Sequence, residues 1–283
     1  MSAREYGGHM FQASNLIYLV ASAIVYFAIL SALFRLRSHI GIGAFFCALG
    51  VMHFLETYLA SVAYVSLPFG IVASPGSTVL FTGKLMLLLL VYIHEDAVVV
   101  RQPIYGLLVG NILLVMLSYL MRHHALMPIS PDRVADLGFL NEMGVLMVWG
   151  TGILFIDCIL IILLYERTRV WFGQQVFARL AVSGAVVLTF DQVAFFAGLH
   201  LMTGAGSEVL IGGWIAKMGA VALYTILVGV YLVYFERRQQ TGRSPRLGDI
   251  FDVLTYRERY EDLLAQTRND GTKPPASPPR AFS

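Results

Sequence analysis

Residues 84–101 read KLMLLLLVYIHEDAVVVR. A lysine opens the stretch, a His-Glu-Asp triplet stands near its far end, and the residues between are apolar on every side of a helix. Apolar runs of this kind recur along the chain, and that recurrence decides the fold. Of the 283 residues, 57% are hydrophobic and only 13% are charged, and the mean hydropathy is +0.70, whereas soluble domains carry about 25% charged residues. The chain reads as an integral membrane protein. Its net charge of +2 is mild, and the basic residues sit in short clusters between apolar runs rather than on one face, which excludes a nucleic-acid partner.

A span needs roughly 20 mostly apolar residues to cross the hydrocarbon. Seven segments qualify, at about 14–36, 40–65, 79–100, 103–121, 142–165, 175–200 and 208–235. In lipid the backbone must satisfy its own hydrogen bonds, so these are helices; no alternating strand pattern of a membrane barrel is present. The expected fold is all-α, a polytopic bundle of seven transmembrane helices. The first apolar run ends in RLRSH and not in small residues, so it reads as a span and not as a cleaved leader. Cys47 and Cys158 each lie inside an apolar run without metal-ligand spacing and read as packing residues.

Arginine placement orients the bundle. Arg35, Arg37, Arg101, Arg167, Arg169, Arg237 and Arg238 follow the odd-numbered spans, while the loops after the second and sixth have neither Lys nor Arg. This places the N-terminus outside and the C-terminus in the cytoplasm of a cell (inner) membrane protein. The loop after the fourth span is mixed, with Arg122 and Arg133 beside Asp132 and Asp136. Three regions follow: a seven-helix domain over 1–238, a cytoplasmic linker over 239–268, and a Pro-rich disordered tail over 269–283. In the linker, Ile250, Phe251, Val253, Leu254, Tyr260, Leu263 and Leu264 recur at three- and four-residue steps, an amphipathic helical pattern. Such a helix either pairs with a second copy through residues 249–266 or lies on the bilayer surface.

An ionisable side chain at mid-bilayer costs on the order of 3 kcal/mol, so such groups face a partner or a cavity. The spans hold Glu56, Lys84, Glu95, Asp96, Asp157, Asp191 and Lys217. With this orientation they sort by depth. Lys84, Lys217, Asp191 and Glu56 form an outer cluster of two cations and two carboxylates. Either they are a structural ion-pair network, or, with Gln192, Trp214 and nearby tyrosines, they bound a pocket for a flat ligand. His94, Glu95, Asp96 and Asp157 lie toward the cytoplasm. With Arg101 close by they either anchor the end of the span or serve coupling and gating. Lys84 and Glu95 are about three turns, roughly 16 Å, apart on one helix, so they belong to separate groups.

SPGSTVLFTGK ending at Lys84 and GAGSEVLIGGWIAK ending at Lys217 echo one another, a trace of the kind left by internal repeats in transporters. A metal site from His53, Glu56, His94 and Glu95 rests on a single HxxE and is weak. A retinal on Lys217 fits poorly, because the lysine stands near the helix start and the sixth span has no Trp or Pro. The signatures GxSxG, P-loop and HExxH are absent, so no cofactor and no catalytic role are expected.

LTFDQVAFFAGLHL, followed by EVLIGGWIAKMGAVALYTILVGVYL, resembles the VUT family of vitamin uptake proteins, which includes queuosine precursor transporters. Asp191, Ala194, Phe195, Phe196 and Lys217 match the family's acidic residue before xxAFF and its lysine near the next helix start. Asp96 and Arg101 match more loosely an acidic residue closing one span and an arginine soon after it. The likeness covers roughly residues 50–238 and implies a compact bundle around a central site for a 7-deazaguanine or vitamin-like molecule. Two departures are an extra helix before the matching region and the helical tail after it. FDVLTYRERYEDLLAQTRND resembles linkers that precede diguanylate cyclase domains, although no cyclase motif is present. The expectation is a sensor module that couples a polar aromatic metabolite to a cytoplasmic output partner; the alternative is an uptake transporter for the same ligand class.

Overall fold

A computed structural model of the chain describes residues 3–95, 97–121, 123, 145–204, 206–235 and 247–255. It is an all-α bundle. Among the described residues the helices are α1 (Ala3–Arg35), the one-turn α2 (Arg37–Ile40), α3 (Ile42–Val62), α4 (Phe81–Glu95), α5 (Ala97–Met121), α6 (Val145–Phe172), α7 (Val176–Thr203), α8 (Ser207–Tyr234) and the short α9 (Leu247–Leu254). Seven of them are long and apolar enough to cross a membrane, the third running from Gly76 through the end of α4. This is a multi-pass membrane protein.

The opening stretch explains the architecture. A helix that is apolar all round must be surrounded, and Leu85 to Val91 are completely buried. Helix α4 is the axis of the bundle, packed against α1, α3, α5, α6, α7 and α8. The outer faces of α1, α3 and α5 carry Ile17, Tyr18, Phe54, Ile112 and Leu117, all exposed, as a lipid-facing surface requires.

Two span boundaries differ from those read in the sequence. Helix α4 ends at Glu95 and α5 begins at Ala97, so the corner falls just after His94 and Glu95, and Val98 to Val100 open the fourth span. Pro103 then lies inside α5, where it forgoes one backbone bond near the helix start. Helix α6 continues to Phe172, and Arg179 of α7 donates to the Tyr165 carbonyl and meets Glu166 at 3.5 Å. That extension keeps Glu166 and Arg167 helical.

Between α3 and α4 the chain forms a small hairpin, β1 (Val65–Ser66) with β2 (Val72–Ala73), paired Val65 to Ala73 and Ser66 to Val72. Asn15 of α1 donates to the Ser66 carbonyl at 2.9 Å. A π-turn over Gly76–Leu80 leads into α4. Gly76 is required there, since an added Cβ would stand 2.3 Å from the Glu56 carbonyl oxygen and 2.5 Å from the Ala60 nitrogen. That close approach seats the start of α4 against Glu56's own turn.

At the opposite end, α9 folds back on the bundle. Ile250, Val253 and Leu254 are buried in the main core against α5 and α6. Arg101 donates to the Val253 carbonyl at 3.4 Å and Tyr105 to the Leu254 carbonyl at 3.1 Å. Three of the apolar residues counted for a dimer seam are therefore taken up by the bundle. Residues 256–283, with the rest of that seam and the Pro-rich tail, lie outside the described residues.

Candidate functional site

Glu56 stands one turn after His53 on the inner face of α3, and Lys84 lies one turn after Phe81 on α4. Lys84 is fully buried. Its ammonium donates to Glu56 Oε1 at 2.7 Å and to His53 Nδ1 at 2.9 Å. Facing an ammonium, Nδ1 must accept, so His53 carries its hydrogen on Nε2 and donates to Asn111 Oδ1 of α5 at 2.9 Å. One lysine is thereby tied to two neighbouring helices through three side chains, Glu56 and His53 of α3 and Asn111 of α5.

A second pair repeats the arrangement. Lys217 of α8 donates to Asp191 Oδ2 of α7 at 2.5 Å, with both residues buried. The outer cluster is thus two separate pairs, each joining an acid on one span to a lysine on the next. What links them is Phe81: its ring centroid is 4.8 Å from the Lys84 nitrogen and 5.6 Å from that of Lys217. Cations lie favourably over an aromatic face at such distances. Charge alone drew the sequence analysis to the lysines; Phe81 was legible only as the residue one turn before Lys84.

Asp157 requires a correction. It was placed toward the cytoplasm with His94 and Glu95, but α6 extends to Phe172, which puts it twelve residues after Val145, near mid-span. There it lies against Asp191 and within electrostatic reach of Lys217 and Lys84. It is 0% exposed; its one polar neighbour is the Asp191 carboxyl group, and no basic or N–H group lies within hydrogen-bond reach of either oxygen among the described residues. Glu56 Oε2, Thr78, Thr82, Ser183, Tyr224 and Thr225 also enclose side-chain oxygens without partners. The Tyr224 hydroxyl and the Tyr26 ring both press on Gly83, where an added Cβ would meet them at 2.6 and 2.7 Å. Buried polar atoms are normally bonded; of those without partners, Glu56 Oε2, Thr78, Thr82 and Asp157 belong to the turns and side chains that carry or face the two ion pairs, and the others lie further along the bundle.

The other expected site residues fall elsewhere. Gln192 spends its amide on the carbonyls of Val209 and Leu210, fixing the start of α8. Trp214 is 42% exposed and donates to Thr189 at 3.0 Å, so it stands at the periphery. At the far end of α4, Glu95 pairs with Arg37, whose guanidinium lies 4.1 Å from the Phe34 ring centroid. His94 packs beside the same ring at 5.9 Å. These contacts pin α2 to the corner between α4 and α5. Arg101 is engaged with α9, and Asp96 lies outside the described residues. His53 and His94 have different partners, and among the described residues no group of three metal-ligating side chains occurs.

A family profile described as vitamin uptake-like sensor matches residues 27–232, nearly the whole bundle from α1 to the end of α8. The chain belongs to the vitamin uptake-like sensor family. The match takes in only the last nine residues of α1, 27–35, and both ion pairs lie inside it. No curated protein and no solved structure matches the chain. As a vitamin uptake-like sensor, the protein is a membrane module of sensor or transporter-like build.

Proposed function

We propose that this protein senses a small polar aromatic metabolite, bound among Phe81, Lys84, Glu56, Asp157, Asp191 and Lys217, and passes occupancy to the segment after the seventh span. The observation that carries this reading is the set of enclosed oxygens without partners around the two ion pairs. A flat ligand with N–H donors would satisfy the Asp157 carboxylate and neighbouring hydroxyls, and its ring would stack beside Phe81. Its role is binding and relay, with no reaction assigned.

Helix α6 supports the relay. It carries Asp157 in the polar core and, further along, Leu163, Leu164 and Arg167, which face Leu247, Gly248 and Phe251 of α9. Helix α5 likewise carries Asn111 toward the core and Arg101 and Tyr105 toward α9. A shift in either helix is felt at α9. By the arginine distribution, the hairpin end faces outward and α9 lies in the cytoplasm of a cell membrane, where it would meet an output domain or protein.

Uptake of a queuosine precursor or vitamin-like molecule is the second reading. The repeated acid–lysine pairing favours it: spans two and three are matched by spans six and seven around one ring, as in repeat-built transporters. Uptake of a labelled 7-deazaguanine precursor into cells that cannot make it separates the two. Sensing predicts no uptake with the protein in the membrane, together with a response lost on deletion of residues 247–283. Uptake that disappears in Lys217→Ala and survives that deletion would establish transport instead.

A further inference from the structure

A groove of about 440 Å³ runs between α3 and α5, on the outer side of the His53–Asn111 end of the Lys84 network. Its walls are Phe46, Leu49, Phe54, Pro103, Leu107 and Leu114, and no lining residue is charged. Gly50, Gly106 and Gly110 border it, and a Cβ built on each would meet nothing within 4 Å. The helices are thus separated by open space where side chains would otherwise fill it.

The floor is polar. His53 and Asn111 line the groove while being only 8% and 5% exposed. Because Lys84 fixes the His53 tautomer, His53 donates to Asn111 Oδ1, which orients the amide and leaves Asn111 Nδ2 with its hydrogens. That nitrogen has no partner among the described residues. An amide donor without a partner, at the bottom of an apolar groove on the lipid-facing side, is costly unless something accepts its hydrogen bond.

We propose that the groove between α3 and α5 is a binding site for a neutral, membrane-partitioning molecule whose carbonyl accepts a hydrogen bond from Asn111 Nδ2. The volume falls in the range of small-molecule sites, about 300–1,000 Å³. The absence of charge in the lining selects a neutral ligand. The spacing of Gly106 and Gly110 also suits helix pairing, but a second helix, about 10 Å across, would rest on the rim without reaching the floor. A narrow ligand reaches it. The site lies outside the pocket under Proposed function, and its failure leaves that reading intact.

Cys47 gives the test its handle, since its thiol is exposed in the groove while Cys158 is buried. Full-length protein in lipid nanodiscs is alkylated with N-ethylmaleimide, with and without methyl nonyl ketone, and Cys47 modification is followed by intact mass. The ketone should slow alkylation more than undecane, which has the chain without the acceptor. Asn111→Leu should raise the half-protecting ketone concentration about fivefold, the loss of one neutral hydrogen bond, and leave the undecane effect unchanged. Should that variant fail to fold, Gly110→Leu fills the groove from its open rim with Asn111 intact, and should erase ketone protection relative to its own basal rate.

Equal protection by undecane would make the groove a slot for any acyl chain and overturn the proposal. Protection that grows with protein density and ignores the ketone would make it a face for a second copy. Ketone protection that persists in Gly110→Leu would likewise overturn it.

Discussion

Lys84 and Lys217 stand on different helices and present their ammonium groups to one phenyl ring, that of Phe81. Each is restrained by its own carboxylate, Glu56 or Asp191. Two like charges near one ring repel, and the ring's negative face offsets part of that repulsion. The pairs are therefore coupled although no side chain of one bonds the other. Double-mutant cycles of Glu56→Gln with Asp191→Asn should show a non-additivity of about 0.5–1 kcal/mol in reversible unfolding from mixed detergent micelles. In a Phe81→Leu background that coupling should shrink toward zero, and an unchanged value would mean the ring does not mediate it.

Breaking one side of a buried pair leaves an uncompensated charge and costs about 3–5 kcal/mol, whereas replacing both partners with apolar residues of similar volume is often neutral. Lys217→Met and Asp191→Leu should each lower the thermal midpoint sharply, and the double variant should recover most of the loss. Ligand binding should be absent in all three, and absent as well in Lys217→Ala and Asp191→Asn. A double variant as unstable as the singles would show that the pair does more than compensate charge. Unchanged affinity in Lys217→Ala and Asp191→Asn would remove this region from the ligand site.

The sequence made much of this legible, and physics explains where it stopped. Seven spans and the burial of α4 follow from hydropathy alone, because a helix with no polar face has to be enclosed. The cost of intramembrane charge made the two lysines and their acids visible. Partner choice was not visible: four charges at similar depth allow several pairings, and the observed one depends on which faces α3, α4, α7 and α8 turn inward. Asp157 was misplaced by about two turns' worth of span because hydropathy weakens at Glu166 and Arg167 while the helix runs on. The docking of α9 was hidden for a different reason. An amphipathic stripe says that a helix covers something apolar without saying what, and here it covers α5 and α6.

Around Phe81 three buried carboxyl groups, Glu56, Asp157 and Asp191, face two ammonium groups, and Asp157 meets Asp191 without an ammonium of its own. An Asn at 157 keeps the shape and supplies N–H donors toward Asp191. Asp157→Asn should therefore raise the unfolding free energy of the ligand-free protein, by about 1–3 kcal/mol if an unsatisfied buried acceptor is relieved, while weakening ligand binding. This opposition of stability and binding marks a functional residue. A variant that is both less stable and fully competent to bind would assign Asp157 to packing.

If occupancy is relayed as proposed, the seat of α9 on α5 and α6 is where single changes should be felt. Tyr105→Phe removes the hydrogen bond to the Leu254 carbonyl with little change of shape, a loss of about 1 kcal/mol. Opening of α9 should then rise about fivefold, read as faster amide hydrogen exchange over residues 247–255 with α4 unchanged. Ile250→Asp, which forces a carboxylate into the seam with α5 and α6, should release the helix altogether. If signalling depends on this seat, both variants alter output in the same direction, and Ile250→Asp produces an output that no longer responds to ligand. Equal ligand response in wild type and Ile250→Asp, with the helix shown by exchange to be free, would mean that occupancy leaves the bundle by another route.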